Sequence, residues 1–189
     1  FVERIAGDLV EVHFPAMDGD PAFWKPSAAE VRAFQSADLI LLNGASYAKW
    51  TAWASLADSK TVNTSAAFRD AFIAVKAEAA HQHGKGGEHS HAGTAFTTWL
   101  DFNQAQQQAA SVHRALARLL PAHSEVLANN FAALQRDLVS LDADLRGIAA
   151  DFGDTPLLGS HPVYQYLARG YGLNIRSVHW EPDAMPDAA

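Results

Sequence analysis

With 189 residues, 49% of them apolar and 19% charged, the chain is large enough to bury one sizeable core or two small ones, which excludes global disorder. A formal charge of −7 with no cluster of lysine and arginine excludes nucleic acid and anionic membrane surfaces as partners. The absence of cysteine excludes disulfides and thiolate metal sites, so any metal must sit on His, Asp or Glu.

The opening "FVERIAGDLVEVHFP" carries neither an initiator Met nor a secretion signal. It reads as the end of a helix stopped near Gly7, then a strand over residues 9–14, as in a mature or trimmed chain. "PSAAEVRAFQSADLILLNGA" predicts a capping box between Ser27 and Glu30, a helix with Val31 and Phe34 inward, and a buried strand over 39–42 closed by Asn43-Gly44. "KTVNTSAAF" predicts a further short strand, after which Phe68, Phe72 and Ile73 sit at helical spacing.

That pattern dissolves in "HQHGKGGEHSHAG", which holds four of the nine histidines, His81, His83, His89 and His91. Glycines at 84, 86, 87 and 93 make residues 80–94 a flexible surface loop in which these histidines can form two-imidazole pairs. "DFNQAQQQAASVHRALARLL" then predicts a helix ended by Pro121. In the next stretch Leu127, Phe131, Leu134, Leu138, Leu141, Leu145 and Ile148 recur at steps of four and three, one apolar stripe along a helix from about residue 122 to 150. "DTPLLGSHPVYQYLARGYGLNIRSVHW" closes the pattern as strand, helix and strand. His161 ends the strand and precedes Pro162, which puts it at the carboxyl end of a strand and the start of a helix, where α/β folds bind ligands. His179, close to Glu181, is placed to line the same cleft. Trp99 and Asp101 are expected to fix a loop and cap the helix that follows.

The chain resembles the periplasmic solute-binding proteins of zinc- and manganese-type ABC transporters. "ERIAGDLVEV", "DPAFWKPSAAEVRAFQSADLILLNG", "TTWLDFNQAQQQA" and "LLGSHPVYQYLARGYGLNI" carry the resemblance, which covers nearly the whole chain. It implies an α/β fold of two lobes joined by one long rigid helix, divided as residues 1–121, 122–150 and 151–189, with the second lobe incomplete. It also implies capture of Zn²⁺, or Mn²⁺ or another divalent transition metal, between the lobes of an extracytoplasmic monomer, and delivery to a membrane permease. The histidine loop is implied to be a low-affinity metal collector. Of the three histidines that hold the family's metal only His161 is present, and Ala22 and Thr97 stand at the other two positions. Phe23 and Trp24 beside Ala22 are expected to wall a cleft for something bulkier than a bare ion. Two functions stay open: a metal-capturing binding protein, and a relative whose cleft takes another solute or a chelated metal. An enzyme is disfavoured, since no nucleophile–base pair or paired carboxylates emerge.

Overall fold

Helix α1 (Val2–Ala6) stops at Gly7, whose φ of +52° is a conformation that glycine adopts without steric cost. A 3₁₀ turn (Gly7–Leu9) follows. The strand expected over residues 9–14 is not formed: residues 11–15 have no regular structure, and a strand without a ladder partner leaves its backbone groups unpaired. The computed structural model describes residues 1–15, 17, 22–75 and 93–178, and the backbone of 81–82 and 88–89. Of the candidate site residues, His83, His91, His179 and Glu181 lie outside the described residues.

Helix α2 (Ala28–Ser36) begins with the expected capping box, the Glu30 amide donating to Ser27 Oγ and the Ser27 amide to the Glu30 carboxylate at 2.6 Å. Those bonds hold the Glu30 carboxyl below its ordinary pKa. Strand β1 (Ile40–Leu42) pairs parallel with β2 (Thr61–Asn63). Beyond β2 the apolar spacing does not make an extended helix. A 3₁₀ segment (Ala66–Ala71) is kinked at Phe68, and Phe72 is already extended. Its continuation, β3 (Ala74–Val75), starts a stem. Strand β6 (Gly93–Thr94) returns antiparallel to β3, and β4 (His81–Gln82) and β5 (Glu88–His89) pair antiparallel as a separate two-stranded sheet.

The core is a helical hairpin. Helix α3 (Phe102–Leu119) starts at Asp101, whose carboxylate accepts the Asn103 amide at 2.9 Å, and ends before Pro121. Helix α4 (Ser124–Phe152) runs unbroken for 29 residues. Ala105, Ala109, Val112 and Leu116 of α3 meet Leu127, Leu134 and Leu138 of α4, with Ile5 and Ala6 of α1 in the same cluster. The α4 stripe is buried only in that half. Leu141 is 47% and Ile148 53% exposed, although the apolar period continues through them. The reason is length: 18 residues of α3 reach about 27 Å along a helix of about 43 Å. Past α4, β7 (Leu157–Gly159), α5 (Gln165–Tyr171) and β8 (Ile175–Ser177) form a strand–helix–strand unit with β7 and β8 parallel.

Candidate functional site

The carboxyl end of β1 opens into a turn closed by the Tyr47 amide on the Gly44 carbonyl at 3.0 Å. Gly44, Ala45 and Ser46 all have positive φ, at +86°, +50° and +58°. Left-handed geometry at two non-glycine residues is strained and persists only when its surroundings hold it. Here the Tyr47 ring lies against Phe96 and Trp99, with centroids 5.1 and 5.6 Å away.

Beneath this turn lies a buried polar network. Ser65 Oγ donates to the Asn43 carbonyl at 2.5 Å, Gln108 Nε2 donates to Asn43 Oδ1 at 2.9 Å, and Asn43 Nδ2 donates to the Phe96 carbonyl at 3.1 Å. Strand end, helix α3 and the 95–98 segment are thereby fixed to one another. Gln108 is buried on the same face of α3 as Ala105, Ala109 and Val112. One turn earlier, the buried Gln104 Oε1 has no hydrogen-bond partner among the described residues. Sequence reasoning passed over both glutamines, although their i, i+4 spacing in phase with the alanines was the available signal.

The 95–98 segment meets the turn that carries His161. Thr97 Oγ1 donates to the Val163 carbonyl, and the Val163 amide donates to the His161 carbonyl at 2.9 Å. Thr97, a cleft-lining candidate, is thus tied to the turn that carries His161, a ligand candidate. Only one of them has an imidazole, and the buried Thr97 hydroxyl is committed to a backbone acceptor. Ala22, at the third position, is 1% exposed and offers no donor atom. His161 itself lies in a turn four positions before Gln165, the first residue of α5, so the expected place at a helix start is not observed. Phe23 sits under the Lys49 ammonium, 3.6 Å from the ring centroid, and Trp24 packs edge-on against Trp50 in a cluster that includes Phe34. Strands β4 and β5 place His81 opposite His89. Among the described residues, no three His, Asp or Glu gather in metal-holding geometry.

Two tyrosines of α5, neither singled out from the sequence, fasten this region. Tyr166 is fully buried, and its hydroxyl accepts the Ile73 amide at 3.2 Å and donates to the Ala95 carbonyl at 2.9 Å. Burial raises its pKa, against the opposing pull of the Ile73 amide and of Arg169. Tyr171 accepts the Phe102 amide at 3.0 Å and donates to Asp142 at 2.9 Å. Burial is the main cause that pushes its pKa up to about 12, with the Phe102 bond opposing and Asp142 adding to the rise. Burial alone would raise the Asp142 carboxyl, but the Arg146 and Tyr171 bonds outweigh it and hold the carboxyl below its ordinary value.

Short parallel strand pairs, β1–β2 before and β7–β8 after one long helix in the chain, make this an α/β fold. Solved structures share it. The metal-dependent lipoprotein YcdH from Bacillus subtilis superposes with a TM-score of 0.80 at 22% identity, over 99% of this chain and 66% of that one. Zn(II)-bound AdcA from Streptococcus pneumoniae superposes at 0.79 and 23% identity, over 99% of this chain and 38% of that one. The family model "ZnuA: Zinc-uptake complex component A periplasmic" matches residues 1–189, and the chain belongs to that family. A zinc-binding protein AdcA from Streptococcus pyogenes serotype M3 is 24% identical over 202 residues, spanning 100% of this chain and 39% of the relative. The chain thus covers about two fifths of that relative's length.

Proposed function

We propose that the protein is an extracytoplasmic solute-binding component of a metal ABC transporter, which captures Zn²⁺ as cargo at His161 and hands it to a membrane permease. The observation that carries this reading is the junction of the 95–98 segment with the His161 turn, made by Thr97 on the Val163 carbonyl. It ties Thr97 to the turn that carries His161, which supports a site there with His161 as its imidazole. A neutral imidazole is a good zinc ligand. The division into residues 1–121, 122–150 and 151–189 belongs to the same reading. So does a collector role for His81, His83, His89 and His91, of which the backbones of His81 and His89 are paired in the β4–β5 register.

One observation favours a second reading, in which the cleft takes a chelated metal or another solute. Ala22 is buried without a donor and Thr97 is engaged with the backbone, so neither supplies a coordinate bond. An exogenous chelator would bring its own donors.

Elemental analysis of protein purified without added metal, paired with native mass spectrometry, tests both. The first reading expects one tightly held zinc with no organic partner, lost in His161→Ala. A zinc-free protein carrying an organic mass supports the second, and a protein that ignores added zinc refutes the first.

A further inference from the structure

We infer that Tyr166 is a positioning residue that couples the stem of the histidine-rich loop to the His161 turn. The register of β3 with β6 makes Ile73 and Ala95 the next pair of the antiparallel ladder. Such a pair either exchanges both of its N–H···O bonds or neither. Here one is direct, the Ala95 amide donating to the Ile73 carbonyl at 2.8 Å. The reciprocal one is replaced by a phenol: the Ile73 amide donates to Tyr166 Oη, which donates to the Ala95 carbonyl. The Tyr166 hydroxyl is therefore a rung of the ladder from which residues 76–92 depart. It is also only five positions from His161, on a seven-residue helix too short to hold itself in place. Thr97 fastens the same segment two residues from His161, and Tyr171 fastens the far end of α5 to the Phe102 amide.

Three side-chain bonds thus hold residues 161–171 against the 95–102 segment, and the one nearest the stem is shared with it. Any ordering of the stem by metal on the loop is felt at the His161 turn, and by linkage the converse holds. This inference rests on the reading of His161 as a zinc contact and of the loop as a collector.

The test is a four-protein cycle: parent, Tyr166→Phe, a deletion of residues 81–91, and the two combined, with His161→Ala as the reference for the cleft. Loading by limiting Zn²⁺ is followed by stopped-flow tryptophan fluorescence, Trp99 lying two residues from Thr97. Deleting the loop is expected to slow His161-dependent loading on the order of fivefold when Tyr166 is present, and less than about twofold in Tyr166→Phe. A phenol with a purely structural role would lower Tm and leave the deletion effect the same in both backgrounds, which overturns the coupling. If Tyr166→Phe does not fold, hydrogen exchange of the Ile73 amide decides. In the loop-deleted protein zinc must slow that exchange, and must not do so once His161→Ala is added; an amide indifferent to zinc overturns the inference. Loading of His161→Ala at the parental rate instead overturns the reading of the cleft, and the coupling falls with it.

Discussion

Replacing Gly44 with alanine strikes the turn on which the Tyr47, Phe96 and Trp99 cluster rests. An added Cβ would lie 2.2 Å from Asn63 Oδ1 and 2.9 Å from Ser65 Cβ, at a φ of +86°. The left-handed backbone costs about 1–2 kcal/mol for a residue with a side chain. Asn63 Oδ1, which accepts the Ser65 amide at 3.0 Å, must move away, and leaving that amide unsatisfied costs about 1–3 kcal/mol. The stiffer unfolded chain returns about 0.4–1 kcal/mol. The net is a destabilisation of about 3 kcal/mol, or about 6–12 °C in Tm for a chain of this size. Ser46→Gly should move the other way by about 0.5–1 kcal/mol, since its φ of +58° is relieved by glycine. Urea unfolding followed by far-UV circular dichroism measures both. Gly44→Ala within about 0.5 kcal/mol of the parent, the range of an ordinary surface substitution, would refute the packing argument.

Thr97→His places a second imidazole at the His161 turn and should tighten calorimetrically measured zinc binding by about tenfold or more. The enlarged buried side chain and the lost Val163 bond should cost about 1–3 kcal/mol of stability; zinc affinity equal to the parent's would count against a shared site at 97 and 161. Tyr171 titrates near 12 in the folded chain against 10.0 for a free phenol, so its contribution is intact below pH 10 and is lost as pH rises from about 10 toward 12. Tyr171→Phe should flatten that alkaline fall in urea-derived stability, and an identical fall in the variant would show that another group causes it.

Local signals in the sequence were legible where local physics decides. The Ser27–Glu30 box, the Asp101 cap, the Pro121 stop and the period of α4 each act within one or two turns of helix, and each appears where its spacing places it. What failed depended on distant partners. Residues 9–14 alternate like a strand but have no neighbouring ladder among the described residues, and Leu141 and Ile148 continue an apolar stripe past the reach of α3. The resemblance identified positions 97 and 161 as related. Their junction through Val163, across 66 residues of chain, is a tertiary contact with no periodicity to announce it. Tyr166 carries no local signal for the same reason: its hydroxyl serves a ladder some 70 residues away.

The central claim is that His161 holds the cargo, and the measurement that meets it most directly is anomalous diffraction at the zinc edge from a crystal of the parent soaked in Zn²⁺. The account predicts a peak in the cleft about 2.0–2.1 Å from a ring nitrogen of His161, beside the Thr97–Val163 junction. A fully occupied zinc in the cleft with His161 turned away from it would contradict the account.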